Sequence, residues 1–431
     1  MIVNDNGKYR SQYIKRHKTS QYNDKSIYLI APHLDLDGTF ELIDGYMKDK
    51  PISHHIPNDI LLKVFNKEII LALDLSAESL YRHIDIIYDT LIVKNGIPES
   101  QLLIISGSED IYQKIITKSK EVNKKPCLFE YYYFFQDGTN KMLHEQLTVN
   151  YKSPLCRESH SHKYINLNNK WRWHRIALLT LLKGDDLLHQ GLNSLSKVRN
   201  LYGVTNDFIT PHDTLQAAKQ ETGVYGKLWY NNSKNGDLTD VWNLWFDETI
   251  SKFPDQELNI IMNNGHDLIE KIPLRIDIDS NFARSPLIPY GAFEFYNVIL
   301  PEGSYIGLAH FYHKTFFSIV TETHYFNDMA THITEKTYKA MILKHPFIVV
   351  STPYFLKHLQ NLGFKTFSPY IDESYDDEFD DTKRMKLILK EIKRLCNLSD
   401  DDYKSFKKSC LDIVNYNFDL LADKTNFIKS I

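Results

Sequence analysis

The sequence predicts an α/β chain with two parallel-sheet lobes, and three observations predict it. Short β-rich runs alternate with helical runs of about ten residues in both the first and the last third of the chain. Some strand runs are uninterrupted apolar, as strands buried on both faces are. The polar residues gather where strands pass into helices, the edge at which parallel sheets hold ligands. Together these give two Rossmann-like lobes facing a central cleft, each with its own switch-point mouth.

In the first third, Ser26 to Ala31 (SIYLIA) reads as a strand ending in Pro32-His33-Leu34-Asp35, and Glu68 to Leu73 (EIILAL) as another, followed by Asp74-Leu75-Ser76-Ala77-Glu78. The next helix places Leu80, Ile84, Ile87, Tyr88 and Leu91 on one face and stops at Asn95-Gly96. Leu102 to Ile105 is a third strand, ending in Ser106-Gly107-Ser108.

In the last third, Phe316 to Val320 is a strand ending in Thr321-Glu322-Thr323. From Thr334 the pattern turns helical, with Tyr338, Met341, Ile342 and His345 on one face and the Thr334 hydroxyl placed to cap the first turn. Phe347 to Val350 is a buried strand. Pro353 and Gly363 suit the start and end of a second helix, and a third strand is expected up to Phe367. The acidic stretch Asp372 to Asp381 reads as a solvated loop before a helix carrying Met385, Ile388 and Ile392.

The Thr334 helix offers unpaired N–H groups and the positive end of a dipole, which suit a phosphate, and Lys336 adds a full charge. Glu335 only accepts when ionised, so it suits the two hydroxyls of a ribose. Glu322 approaches the same mouth. A nucleoside diphosphate fits this set, although charged first turns are also common as plain solvated surface.

The arrangement TET…HITEK…PFIVV resembles the C-terminal nucleotide-binding motif of α1,3-fucosyltransferase-like glycosyltransferases. The resemblance covers about fifty residues. It implies that Glu335 holds the ribose and Lys336 the diphosphate of a nucleotide-sugar, with Glu322 matching an acid of the preceding segment. Thr323 stands where the family has Asn, and His332 where it has Tyr. The whole chain also loosely resembles phage and bacterial proteins carrying similar TEKT and PFI segments. The chain accordingly reads as a GT-B-like enzyme in three parts: residues 1–165 an acceptor lobe, 166–300 a helical region completing or inserted in that lobe, and 301–431 the donor lobe.

An inverting transfer to a hydroxyl acceptor needs a general base. The first lobe's strand-end carboxylates are the candidates (Glu78, Asp74, Asp35 and Asp37), and Glu78 is favoured because it follows a buried strand and opens a helix. The cluster Lys170-Trp-Arg172-Trp-His174-Arg175 lies before an apolar helix, Ile176 to Leu182. Arg172, His174 and Arg175 there make a candidate anion clamp for the leaving diphosphate, surface charge being the plain alternative. Asp35-Leu36-Asp37, Asp277-Ile278-Asp279 and the Cys156, His160, His162 group carry metal-capable residues, but none completes a recognisable pattern. No metal or cofactor is expected, the nucleotide-sugar being a co-substrate.

The composition narrows the classes. The chain has 431 residues, 42% of them hydrophobic and 25% charged, enough for two cores. Its net charge of −4 gives no global pull toward nucleic acid or anionic membrane. The four cysteines are scattered, no secretory leader is visible, and no apolar run approaches the roughly 18 residues of a membrane span. These features imply a cytoplasmic location, the host cytoplasm if the protein is viral. The acceptor is a sugar, a glycan or, in a second reading, a modified DNA base approached through Lys152, Lys163, Lys170, Arg172 and Arg175. A third reading is a catalytically inactive two-lobed binding or virion-associated protein.

Overall fold

The structure is a computed structural model that describes residues 2–5, 21–22, 24–30, 56–76, 81, 83–133, 135–136, 139, 153–156, 160–168, 172–195, 239–271, 274, 309–423 and 428–429. By contacts the chain divides into two compact units. Met1–Glu145, Asp328–Tyr338 and Leu421–Ile431 form the first; Gln146–Asn327 and Lys339–Leu420 form the second.

The first unit is built on one sheet. Strands β1 (Ile2–Asp5), β2 (Ile27–Ile30), β3 (Ile70–Asp74), β4 (Leu102–Ser106) and β5 (Leu128–Tyr132) lie side by side in chain order, all parallel. A last strand from the chain end, β10 (Ile428–Lys429), pairs antiparallel with β5. β2, β3 and β4 are buried along their whole length, which explains why they are apolar up to Asp74 and Ser106 at the ends of β3 and β4. Helices α1 (Asn58–Phe65), α2 (His83–Ile87) and α3 (Glu109–Glu121) accompany them, α2 widening into π-helical turns over Tyr88–Lys94. Ile84, Ile87, Tyr88 and Leu91 pack into the core as the periodicity predicts. Gly96, at φ 68°, closes that helix. The strand order contains no reversal, so the described sheet lacks the switch-point mouth expected of this lobe.

The second unit begins with β6 (His162–Leu167), α4 (Trp173–Gly184) and β7 (Gly191–Ser194). It continues through α5 (Thr239–Lys252), α6 (Gln256–Asn264), β8 (Thr315–Thr321), α7 (Glu335–Ile342), β9 (Phe347–Val350), α8 (Phe355–Asn361), α9 (Asp381–Cys396) and α10 (Asp400–Ala422). The division between the units passes through α7 and α10. Its sheet is wholly parallel, in the order β7-β6-β8-β9. The expected boundary at residue 165 falls inside β6. Tyr164 pairs with Phe317 and His162 with Thr315, so β6, α4 and β7 belong to the second sheet rather than to the first lobe.

Helix α4 is buried from Ile176 to Leu182, as its continuous apolar sequence requires. It meets α5 and α6, and it meets α6 backbone to backbone. A Cβ on Gly184 would stand 1.9 Å from the Ile261 carbonyl oxygen, and one on Gly265 would stand 2.0 Å from that of Thr180. Glycine is needed at both positions for space.

The third strand expected before Phe367 does not form. Asn417 of α10, almost fully buried, takes the place of a strand neighbour: its Oδ1 accepts from Lys365 N at 2.8 Å and its Nδ2 donates to Lys365 O at 2.8 Å. The backbone there is satisfied by a side chain, and β9 stays at the edge of the described sheet.

Candidate functional site

The second sheet reverses direction between β6 and β8. The chain runs outward from β6 to β7, then returns to place β8 on the other side of β6. In an open parallel sheet the carboxyl ends of the two strands flanking such a reversal are the ligand position. Here those ends carry Asn166 and Asn168 on one strand and Thr321 and Glu322 on the other, all buried.

These residues are joined to each other. The Thr321 hydroxyl donates to Asn168 Oδ1, and Asn168 Nδ2 donates to Asn166 Oδ1 at 2.8 Å. Asn166 is fully buried, and its Nδ2 has no hydrogen-bond partner among the described residues. An unpaired buried donor at a switch point is the kind of group a ligand satisfies.

The start of α4 is fastened to the end of β8. His174 Nε2 lies 3.0 Å from the Glu322 carbonyl. A carbonyl only accepts, so Nε2 carries the proton. Burial, and then the neighbouring Arg175 charge, hold the imidazole well below its ordinary pKa, so the ring is neutral. Arg175 Nη2 donates to the carbonyls of Thr321 at 3.2 Å and Glu322 at 3.0 Å. The anion-clamp reading requires Arg175 to face open space. Instead its side chain is buried and tethers a strand end. Arg172, at the N-cap of α4, is exposed and keeps the character of a surface cation.

A second tether reaches the same segment from α9. Arg384 is buried, and its guanidinium donates to the carbonyls of Ser351 at 3.1 Å, Glu378 at 2.7 Å and Tyr325 at 2.5 Å, with Asp381 as its ion-pair partner. It also stands 4.4 Å over the Tyr325 ring, which stacks on His174 at 5.4 Å. The loops after β8 and β9 and the turn before α9 are thus held by one cation. Thr323 is half-buried within the first of those loops.

The first turn of α7, which falls in the first unit, opens as the periodicity predicts. The Thr334 hydroxyl accepts from Lys336 N at 3.4 Å and from Lys336 Nζ at 2.9 Å. The ammonium also lies 3.1 Å from Glu335 Oε1, and both side chains keep a minor share of their surface exposed. A cation and a carboxylate thus share the first turn. His332 is buried, edge-on to Phe135 at 5.8 Å. Asp74, at the carboxyl end of β3, is fully buried and accepts from Ser76 N at 3.1 Å and from the Ser76 hydroxyl. Glu78, Asp35, Asp37, Asp277 and Asp279 lie outside the described residues.

Sequence reasoning names Glu322, Thr323, Glu335, Lys336 and the Arg172–Arg175 cluster as candidates. It missed Asn166, Asn168, Tyr325 and Arg384. One signal existed for Arg384: it sits four residues before Ile388, on the apolar stripe of an amphipathic helix, where a cation needs a buried purpose.

No family model matches the chain, and no curated protein matches it. Among solved structures it is similar to "Structure of Candida albicans trehalose-6-phosphate phosphatase N-terminal domain", at 10% identity and a TM-score of 0.36, covering 95% of this chain and 72% of that one. A likeness that remote carries no argument about activity. Among the described residues no helix is long and apolar enough to cross a membrane, and no group of three or more His, Cys, Asp or Glu residues is placed to hold a metal ion.

Proposed function

We propose that the chain is a nucleotide-sugar-dependent glycosyltransferase of the GT-B type, inverting, with a hydroxyl-bearing acceptor. The observation that carries this reading is the opening of α7: Lys336 Nζ, 2.9 Å from the Thr334 hydroxyl, stands beside Glu335 at a helix N-terminus. A cation and a helix dipole neutralise a diphosphate, and a carboxylate that only accepts suits ribose hydroxyls. The motif likeness to fucosyltransferase-like enzymes supports the same roles, with His332 and Thr323 altering two contacts.

The reversal between β6 and β8 supports a ligand at the second sheet, with Glu322 at its strand end and Arg172 as a surface cation. The base that deprotonates the acceptor is assigned to Glu78, and Asp74 is the described carboxylate of that segment. Inversion requires the acceptor oxygen to attack the anomeric carbon opposite the departing diphosphate, while the base takes the hydroxyl proton.

Thermal-shift titration with UDP-, GDP- and CMP-sugars tests the reading. One nucleotide class raises the melting temperature, and Lys336→Ala weakens that nucleotide about ten-fold, as loss of a charge-assisted phosphate contact does. No shift with any of the three classes removes the donor assignment.

A further inference from the structure

We propose that Tyr354 and Phe379 form a binding corner for a neutral saccharide beyond the carboxyl end of β9. The inference does not depend on the nucleotide-sugar reading. It starts from a backbone anomaly. Five described non-glycine residues have positive φ. Lys67, Asn123, Asp186 and Lys344 each lie just past the C-terminal end of a helix, where a left-handed residue is an ordinary closure. Tyr354 is different. It holds φ 60°, ψ 17° at the N-terminal cap of α8, where a small polar residue in extended conformation is usual. A bulky aromatic in that region is strained.

Burial does not offset the strain, because Tyr354 is 46% exposed and its partner Phe379 is 51% exposed. The two rings stand 5.0 Å apart at 83°. Both backbones are pinned. Tyr354 N donates to the Asp376 carbonyl at 2.7 Å, Asn327 Nδ2 donates to the Phe379 carbonyl at 3.0 Å, and Arg384 holds the carbonyl of Glu378 next to it. Two rings at a right angle on fixed backbone make an apolar floor and wall in water, already organised for a ligand.

The surrounding charge selects the occupant. Phe379 lies in the run Asp376-Asp377-Glu378-Phe379-Asp380-Asp381, whose five acids outnumber the three cations Lys357, Lys383 and the buried Arg384 that adjoin it, so it is net acidic. The carboxylates of Asp376, Asp380 and Asp381 are already engaged with N–H groups of the fold. Asp377, two residues before Phe379 in the chain, is exposed. Carboxylates accept from hydroxyls and repel phosphate. A pyranose ring offers what this corner takes: a flat C–H face for the aromatic rings and a hydroxyl rim for the acids. A nucleotide meets the wrong charge.

The test is saturation-transfer NMR on the full chain with maltotriose, cellotriose and chitotriose, and with guanosine and adenosine as ring-bearing competitors. At least one trisaccharide shows transfer to its ring C–H protons. Phe379→Ala and Tyr354→Asn, the latter tolerant of the left-handed backbone, each weaken binding about ten-fold or more, and Phe379→Trp retains it. Both weakened variants keep the parent melting temperature to within a few degrees, since both side chains are exposed. The proposal falls if no trisaccharide binds, if binding survives both substitutions, or if the nucleosides occupy the corner in place of the sugars.

Discussion

Arg175 donates through Nη2 to the main-chain carbonyl of Glu322 at 3.0 Å, joining residues 147 apart in sequence. The bond fixes the end of β8 against the start of α4, on either side of the reversal in the second sheet. His174 reaches the same carbonyl from the same helical turn. Two adjacent side chains on one carbonyl make the position of Glu322 a property of the helix as much as of the strand.

Arg175→Met therefore acts on stability first. It removes a charge-assisted donor and leaves the Thr321 carbonyl short of a partner in a buried setting, at a cost of ~2–4 kcal/mol. Urea unfolding measures it. A surface anion clamp would behave in the opposite way, losing nucleotide affinity at unchanged stability.

Asn417→Leu leaves both Lys365 backbone groups unpaired. Both bonds are only part-buried and Lys365 is exposed, so water replaces part of what is lost, and a net loss of ~1–2 kcal/mol is expected by chemical denaturation. Amide exchange at Lys365 accelerates alongside. Unchanged exchange at Lys365 means that the Asn417 side chain does not substitute for a strand.

The core strands were legible because burial on both faces writes itself as nearly unbroken apolar sequence: Ile70–Asp74, Leu102–Ser106 and Phe347–Val350 all stand out. β6 was hidden because His162 and Lys163 begin it and Asn166 lies within it, so its run mixes polar with apolar residues. Short β7, Gly-Leu-Asn-Ser, has no apolar signature at all. Missing them moved the domain boundary and concealed the reversal in the second sheet. The opening of α7 was legible because capping and first-turn charge are local. Arg175 and Arg384 were misread or missed because their partners are main-chain carbonyls, which leave no trace in residue type.

His345 carries a pH prediction. It is fully buried, with Nε2 2.9 Å from the Thr315 carbonyl and Nδ1 2.7 Å from the Ser318 hydroxyl. Burial lowers its pKa from 6.5 to about 3. The folded value is depressed, so its stabilisation is fully present above 6.5 and is lost as the pH falls from there toward 3. Each pH unit in that window removes up to ~1.4 kcal/mol. His174 acts in the same direction, while burial raises Glu373 to about 7, so that its contribution is present below 4.5 and lost as pH rises through 7. The difference between parent and variant isolates one ring: His345→Gln loses less stability on acidification from about pH 6.5 to about pH 5, by up to ~2 kcal/mol. Equal losses in the two proteins would exclude the buried neutral imidazole.

Gly184→Ala sets two effects against each other. Alanine favours the helical backbone over glycine by about 1 kcal/mol. At Gly184 its Cβ would stand 1.9 Å from the Ile261 carbonyl oxygen, a main-chain atom that no side-chain rotation can move. Relief requires α4 and α6 to separate, opening space along Ile176–Leu182. Overpacking of this kind costs ~1–3 kcal/mol, so the substitution destabilises despite its better helix propensity. Gly96→Ala is the control. Nothing lies within 4 Å of its Cβ, but φ is 68°, so its cost is the backbone term alone, about 1 kcal/mol. Thermal unfolding should then show Gly184→Ala losing more than Gly96→Ala, with slower-exchanging amides of α6 exposed only in the former. A Gly184→Ala protein more stable than its parent means that the two helices do not touch through their backbones.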